Sequence, residues 1–356
     1  MRSEMFDHLK YLSSLFLPLC VLLFLFTGPH DALVALAWTI PLWLLIVLDW
    51  FSPKVNLTRK KKRVVAGFYD AILYTLTFLQ FLNIALLLNY ASHLQWGSVA
   101  EISNAIINLI VLRILVGTTS GSSALIVAHE LIHRRQRHQQ ILGRLLLYTV
   151  CYEHFVIAHL QGHHLNVATP NDIATAKLNE GFKAYWQRVT LGHFKYAWNF
   201  ERQRLGLEHT PIYHYKMLAN SVLRGLLVEV TLVLLIVVNF GWAAGFIFLY
   251  QALAGVRLLE TINYYQHWGL EQGKADKTLA WVNQSSLSDY ALVGLTNHIG
   301  HHQQSYRPFQ QISYSAQGPT MPRGYLVTNL WVKLHNQSFR RVSAEILDNY
   351  LHQMRV

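Results

Sequence analysis

ISNAIINLIVLRILVGTTSGSSALIVAHELIH, residues 102–133, reads as a membrane span that ends in paired histidines. From Ile102 to Ala128 it carries a single charged residue, Arg113. At about 1.5 Å per residue it is long enough to cross the roughly 30 Å hydrocarbon core of a bilayer. It then runs directly into His129-Glu130-Leu131-Ile132-His133, whose histidines stand four apart and so share one face of a helix. The rest of the chain repeats both features.

Five more stretches are apolar over about 20 residues: Tyr11–Thr27, Ala32–Phe51, Phe68–Asn89, Asn220–Phe240 and Trp242–Ile262. Hydrophobic residues make up 52% of the 356 and charged residues 14%, against about 25% charged in soluble domains. Thirteen per cent aromatics and 9 prolines exclude disorder and fibrous repeats. The first stretch has a basic start like a signal peptide. It lacks a small-residue cleavage site and leads almost at once into the second, so it reads as an anchor helix. Lys and Arg are absent from the connections 28–31, 90–101 and 239–242. They gather on the other side as Arg2, Lys10, the run 59–63 (RKKKR), Arg134, Arg135 and Arg137. By the positive-inside rule both termini are expected in the cytoplasm of a bacterial-type inner membrane. The net charge of +11 is thereby explained by an anionic leaflet, and no nucleic-acid motif accompanies it. The expected fold is all-α: one membrane-embedded unit over residues 1–356, with six transmembrane helices. A cytoplasmic, histidine-rich cap is formed by 129–219 and 263–356.

Nineteen histidines are unusual in so apolar a chain. Beyond His129 and His133, clusters occur at His159-Leu160-Gln161-Gly162-His163-His164, at His267 just past the sixth span, and at His298-Ile299-Gly300-His301-His302. Each alone has an ordinary reading, such as a solvated pair or a core histidine. Together, four clusters at the same membrane boundary point to metal. Nine imidazoles exceed what one tetrahedral ion uses, which implies two ions. Imidazole suits iron, copper, zinc and nickel, and only a redox metal serves oxygen chemistry. His138 and His154 fall outside the i, i+4 pattern and read as outer or surface residues. His8, His30, His93, His193, His209, His214, His335 and His352 read as incidental.

HELIHRR (129–135), HLQGHHLNVATPNDIATA (159–176), NYYQHWGL (263–270) and LTNHIGHH (295–302) resemble the integral-membrane, histidine-box di-iron family of alkane hydroxylases, xylene-type methyl hydroxylases and fatty-acid desaturases. The resemblance runs from the third span to about Tyr325. It implies a di-iron cap with two non-haem irons on His129, His133, His159, His163, His164, His267, His298, His301 and His302. The glutamine-histidine-tryptophan-glycine box is similar to the hydroxylase branch and implies oxidation of the terminal methyl of an apolar alkyl or alkylaromatic substrate by O2. Ala158 and Gln266 stand where members acting on long alkanes carry Glu, and Trp268 replaces a usual Tyr. The alanine and the glutamine there are more similar to the xylene-type enzymes. A related branch decarboxylates medium-chain fatty acids to terminal alkenes, and desaturation is a further alternative.

Several other residues acquire expected roles. Glu130 is a candidate to hydrogen-bond a ligand imidazole, and Asp172, in the turn after the second cluster, is another. Arg113 and Arg257 lie inside spans, where charge is costly and usually functional. Arg257 is expected to pair with Glu260, three residues on; the functional reading of both arginines is an anchor for a substrate's polar head. Arg257 precedes His267 by about 15 Å along a helix. A decarboxylase would hold a carboxylate closer to iron, where Arg134, Arg135 or Lys177 is better placed. There is no GxGxxG fingerprint, and two cysteines cannot hold an iron–sulfur centre. Electrons are therefore expected from a separate rubredoxin or ferredoxin with its reductase. An intramembrane zinc protease would leave seven clustered histidines idle, and a metal transporter would place its ligands at mid-membrane.

Overall fold

Six helices are long and apolar enough to cross a bilayer: α1 (Lys10–Thr27), α2 (Ala32–Trp50), α3 (Gly67–Ser92), α4 (Val99–Ile132), and two later ones, Ser221–Phe240 and Trp242–His267. The computed structural model describes residues 8–55, 66–270 and 279–354. Arg2 and the basic run 59–63 lie outside the described residues. Between α4 and the fifth span come α5 (Arg137–Tyr148), α6 (155–166) and α7 (Phe182–Arg204). The last two spans are α8 and α9, followed by α10 (Ser286–Ala291), α11 (His298–Gln303), α12 (Tyr325–Leu334) and α13 (Asn336–Gln353). Among the described residues there is no strand, only two isolated bridges. The all-helical membrane class read from the sequence therefore stands.

α1, α2, α4 and α8 keep much of their apolar surface on the outside, whereas α3 and α9 are more than half buried within the bundle. Phe26, Leu33, Val99 and Val238 are 74–86% exposed, as lipid-facing residues should be. Three spans run past their expected C-terminal ends, α3 reaching Ser92 instead of Asn89, and the two that carry histidines going further. α4 and α9 were expected to stop at Ala128 and Ile262, but continue to Ile132 and His267. Nothing in HELI or NYYQ breaks a helix, and the added turns find cover in the cap. As a result His129 and His267 are carried on the rigid ends of spans rather than on loops.

α4 and α9 pack against each other through small residues, which let backbones approach closely inside a membrane. A Cβ on Gly117 would lie 2.5 Å from the Cβ of Ala254. Gly117→Ala must push the two helices apart. We expect it to lower stability by about 1–3 kcal/mol, the usual scale of overpacking, read as a lower unfolding temperature in detergent.

Next to this seam α4 makes a π-type turn at Ser120–Leu125. Its hydroxyls join a polar network across the bundle. Ser123 Oγ donates to Gln80 Oε1 at 2.8 Å, Ser120 Oγ donates to Gln251 Oε1 at 2.7 Å, and Gln251 Nε2 donates to the Thr149 carbonyl at 2.9 Å. Three spans and the turn after α5 are thereby fixed in register just below the histidines. At the opposite end, the backbone of His30, with Tyr90, Asn104 and Asn108, forms a second network, and the His30 ring lies 3.0 Å from the Phe24 carbonyl. The rings of Trp96 and Trp242 meet at 4.9 Å, tilted by 48°, on that side, where interfacial aromatics belong.

Candidate metal centre

The nine clustered histidines converge. His129, His133, His159, His164 and His301 form one group, and His163, His267, His298 and His302 another. Within each, one nitrogen per residue lies within 4.8 Å of all the others. The groups adjoin: the rings of His164 and His302 are 4.6 Å apart, and those of His159 and His163 are 5.4 Å apart.

The partition follows from local helix geometry. His129 and His133 are four apart on α4 and share a group, and so do His298 and His302 on α11. The second cluster behaves differently. α6 makes a π-type turn over Ala158–His163, and a π turn aligns residues five apart. His159 therefore joins His164, while His163 turns to the other group. A spacing of four would by itself put His159 with His163; the π turn divides them instead.

Their chemistry suits a metal. His159 Nε2 faces both His133 Nε2 and His164 Nε2, at 3.1 and 3.0 Å. His298 Nε2 likewise faces His267 Nε2 and His302 Nε2, at 3.1 and 3.0 Å. Nitrogens bound at about 2.1 Å to one ion lie roughly 3.0 Å apart at right angles and roughly 3.4 Å apart in a tetrahedron, so these spacings fit right-angled neighbours. Burial first, and then the crowding of neighbouring imidazoles, holds His159, His298, His301 and His302 well below the ordinary histidine range. They are neutral, the form that binds metal. The groups form a metal centre.

Hydrogen bonds aim several rings. His163 Nδ1 meets Asp172 Oδ2 at 2.9 Å, leaving Nε2 buried without a hydrogen-bond partner and directed at its group. Asp172 is itself fixed by Thr175 Oγ1 and the Ala174 N–H. Burial alone would raise its pKa, but the His163 imidazole and these hydrogen bonds hold it below the usual carboxylate range. His267 Nδ1 lies 2.9 Å from the Leu279 carbonyl, which leaves Nε2 as the bare nitrogen. Phe155 stacks on His159 at 4.8 Å. We expect Asp172→Asn to weaken metal retention by about 10–100-fold, as for other residues that orient ligands. The rate of metal release to a chelator measures this.

Three expectations need correction. Glu130 does not orient an imidazole: its Oε1 accepts from Arg134 Nε at 2.9 Å and from the Phe309 N–H at 3.2 Å. An arginine one turn away outcompetes an imidazole for it, and Arg134 also reaches Asp70 at 3.4 Å, tying α4 to α3. Arg257 does not pair with Glu260. That carboxylate is fully buried and needs several donors, which Tyr152 (3.0 Å) and Asn263 (3.1 Å) supply, with His193 at 3.4 Å. His193 is accordingly no incidental histidine, being buried beside Glu260 and bordering the space next to His163. No local pattern marks it, because its partners come from α9 and the turn before α6.

Arg113 and Arg257 instead line a cavity of about 390 Å³ between α1, α2, α4, α9 and α12. His154 is half-buried against Tyr152 and Phe194, and His138 is exposed. Gln266 is buried and donates to the Tyr325 hydroxyl at 2.8 Å.

A family model described as fatty acid desaturase matches residues 104–328, which hold all nine of these histidines. The chain belongs to the fatty acid desaturase family. Relatives include alkane 1-monooxygenase 1 of Pseudomonas aeruginosa, 33% identical over 235 residues, covering 61% of this chain and 60% of that protein. Alkane 1-monooxygenase of Acinetobacter baylyi is 30% identical over 260 residues, covering 71% and 63%. The xylene/toluene monooxygenase hydroxylase component of Pseudomonas putida is 27% identical, covering 60% of each chain. The chain thus spans about three fifths of the length of these curated relatives.

Proposed function

We propose that this family member is a membrane di-iron oxygenase that hydroxylates the terminal methyl of an apolar alkyl or alkylaromatic substrate. The observation that carries this reading is the meeting of nine imidazoles in two adjoining groups at the ends of α4 and α9. His129, His133, His159, His164 and His301 would hold one iron, and His163, His267, His298 and His302 the other. Bound iron supplies the redox chemistry that O2 activation needs. The chain's own part is to keep the site dry and fixed. Ile126, Leu295 and Ile312, with Glu130 and Asn297, border the small space beside His129, His298 and His301. Asp172 and the Leu279 carbonyl hold two imidazoles at fixed orientation. Such positioning is worth several kcal/mol of barrier when the geometry is held before reaction.

The relatives named alkane 1-monooxygenase and xylene/toluene monooxygenase support hydroxylation over the other reactions of such sites. The whole chain acts as one membrane-embedded unit of a bacterial inner membrane, with termini and cap in the cytoplasm. Electrons come from a rubredoxin or ferredoxin with its reductase, steered by the basic cytoplasmic face. The test is product analysis under labelled O2, with carrier and reductase added. A primary alcohol carrying one labelled oxygen is expected. A terminal alkene one carbon shorter, or an internal double bond, would replace this reading with decarboxylation or desaturation.

A further inference from the structure

Four buried donor atoms without a hydrogen-bond partner belong to residues around one cavity: Ser13 Oγ on α1, Arg113 Nε on α4, Arg257 Nε on α9 and Asn329 Nδ2 on α12. Lys333 of α12 lines the same space. The guanidinium groups rest on rings, Arg113 over Tyr250 at 4.8 Å and Arg257 over Phe182 at 5.7 Å. Nearby carboxylates are engaged elsewhere, Asp49 with α10 and α12 and Glu260 with Tyr152 and Asn263. Among the described residues no carboxylate forms an ion pair with any of the three cations. Burial and then the two arginines push the Lys333 ammonium down to about 7. A buried donor left unpaired costs about 1–3 kcal/mol, and like charges collected between spans without a counterion add to that. One anion with several acceptor oxygens would satisfy all five groups.

The opening shows where such an anion enters. Of the residues around the cavity only Trp43 of α2 and Leu334 of α12 are exposed, at 48% and 65%. Both are apolar and Trp43 belongs to a span, so the mouth faces lipid rather than water. Arg257 lies five residues from the membrane boundary expected at Ile262, or about 7.5 Å along the helix. Long cationic side chains bridge that depth by extending toward the headgroups. The volume of about 390 Å³ holds roughly a dozen groups of the ≈30 Å³ size of a water. A phosphate and its glycerol fit, and two acyl chains must leave through the mouth into the bilayer. Basic pockets between membrane helices take anionic lipid headgroups in this way.

We propose that this cavity binds the headgroup of an anionic diacyl phospholipid, its phosphate held by Arg113, Arg257 and Lys333 with Ser13 and Asn329. The lipid is a resident constituent that ties α12 of the cap to α1, α4 and α9. It needs no route to the metal centre, since none of the nine clustered histidines lines the cavity, and it does not depend on the oxygenase reading. A zwitterionic headgroup fits less well, because its own ammonium would join three cations.

Native mass spectrometry of the purified full chain, titrated with dioleoylphosphatidylglycerol or dioleoylphosphatidylcholine, tests the site. The first phosphatidylglycerol is expected to bind at least about tenfold more tightly than the first phosphatidylcholine, the scale of one charge-assisted contact. Arg257→Gln should abolish the preference, Lys333→Gln should reduce it, and Arg257→Lys should keep part of it. Arg341→Gln, at an exposed position of α13, should leave it unchanged. Equal binding of the two lipids overturns the proposal, and so does an unaltered preference in Arg257→Gln or Lys333→Gln. An equal loss in Arg341→Gln overturns it by assigning the binding to surface charge. Displacement by inorganic phosphate or dodecanoate at equal concentration overturns it by assigning the cations to a free anion.

A phosphatidylglycerol with a photoreactive group on its headgroup glycerol tests the location. Cross-links at Ser13, Asn329 or Lys333 are expected, and cross-links confined to α13 overturn the assignment. Neither measurement requires turnover, so failure of the oxygenase reading would leave both results intact.

Discussion

His267→Ala is expected to release one of the two proposed irons and retain the other. His267 belongs to the four-imidazole group, is fully buried, and has its Nδ1 committed to the Leu279 carbonyl. Its loss leaves three nitrogens facing a dry pocket that offers no replacement. His301→Ala, in the five-imidazole group, leaves four nitrogens and is expected to keep most of its metal. Purified His267→Ala protein should therefore carry about half the iron of the unaltered chain. Oxidation should fall by more than the 10–100-fold typical of losing an orienting contact, since here a ligand itself is lost. Equal iron loss in both variants would show that the five-and-four division has no chemical meaning.

Asp49→Ala is expected to be the most destabilising single change outside the histidines. Asp49 sits at the end of α2 that meets the cap and is 2% exposed. It accepts four hydrogen bonds from two elements of the cap: Ser285 Oγ (2.6 Å), Ser288 Oγ (2.7 Å), and the Leu326 and Val327 N–H groups (3.0 and 3.1 Å). The last two are otherwise unpaired donors of the first turn of α12, where a carboxylate is also favoured by the helix dipole. Ser288 Oγ in turn accepts from the Tyr325 N–H. Removing the carboxylate strands several buried donors at once, at a cost of roughly 3–5 kcal/mol. Gly324 reports on the same contact, because a Cβ there would collide with both Asp49 oxygens. Thermal unfolding in detergent should show Asp49→Ala far below the unaltered protein and Asp49→Asn between them. An unchanged unfolding temperature for Asp49→Ala would contradict this role.

Much of this molecule is legible in one dimension because its solvent and its chemistry impose simple periods. A bilayer demands about twenty apolar residues, and all six spans announce themselves that way. Imidazoles that share an ion must share a face, so the pairs His129/His133 and His298/His302 read correctly from a spacing of four. His159 and His163 have the same spacing and go to different groups. What separates them is a single π turn over Ala158–His163, which no spacing in the sequence announces. The acids misled for a related reason. Glu130 and Glu260 look like partners of nearby groups in sequence, but a buried carboxylate goes wherever donors are most numerous. For Glu260 those are Tyr152, Asn263 and His193, from three separate elements. Arg113 and Arg257 were marked as costly by their spans alone, whereas Lys333, the third cation of their cavity, sits on a cap helix and carries no such mark.

Elemental analysis of the chain purified from its membrane, together with Mössbauer spectra after iron-57 enrichment, addresses whether the nine imidazoles hold a pair of irons. Two irons per chain, in two inequivalent nitrogen-rich environments, is the expected result. A single zinc per chain with no iron would contradict it.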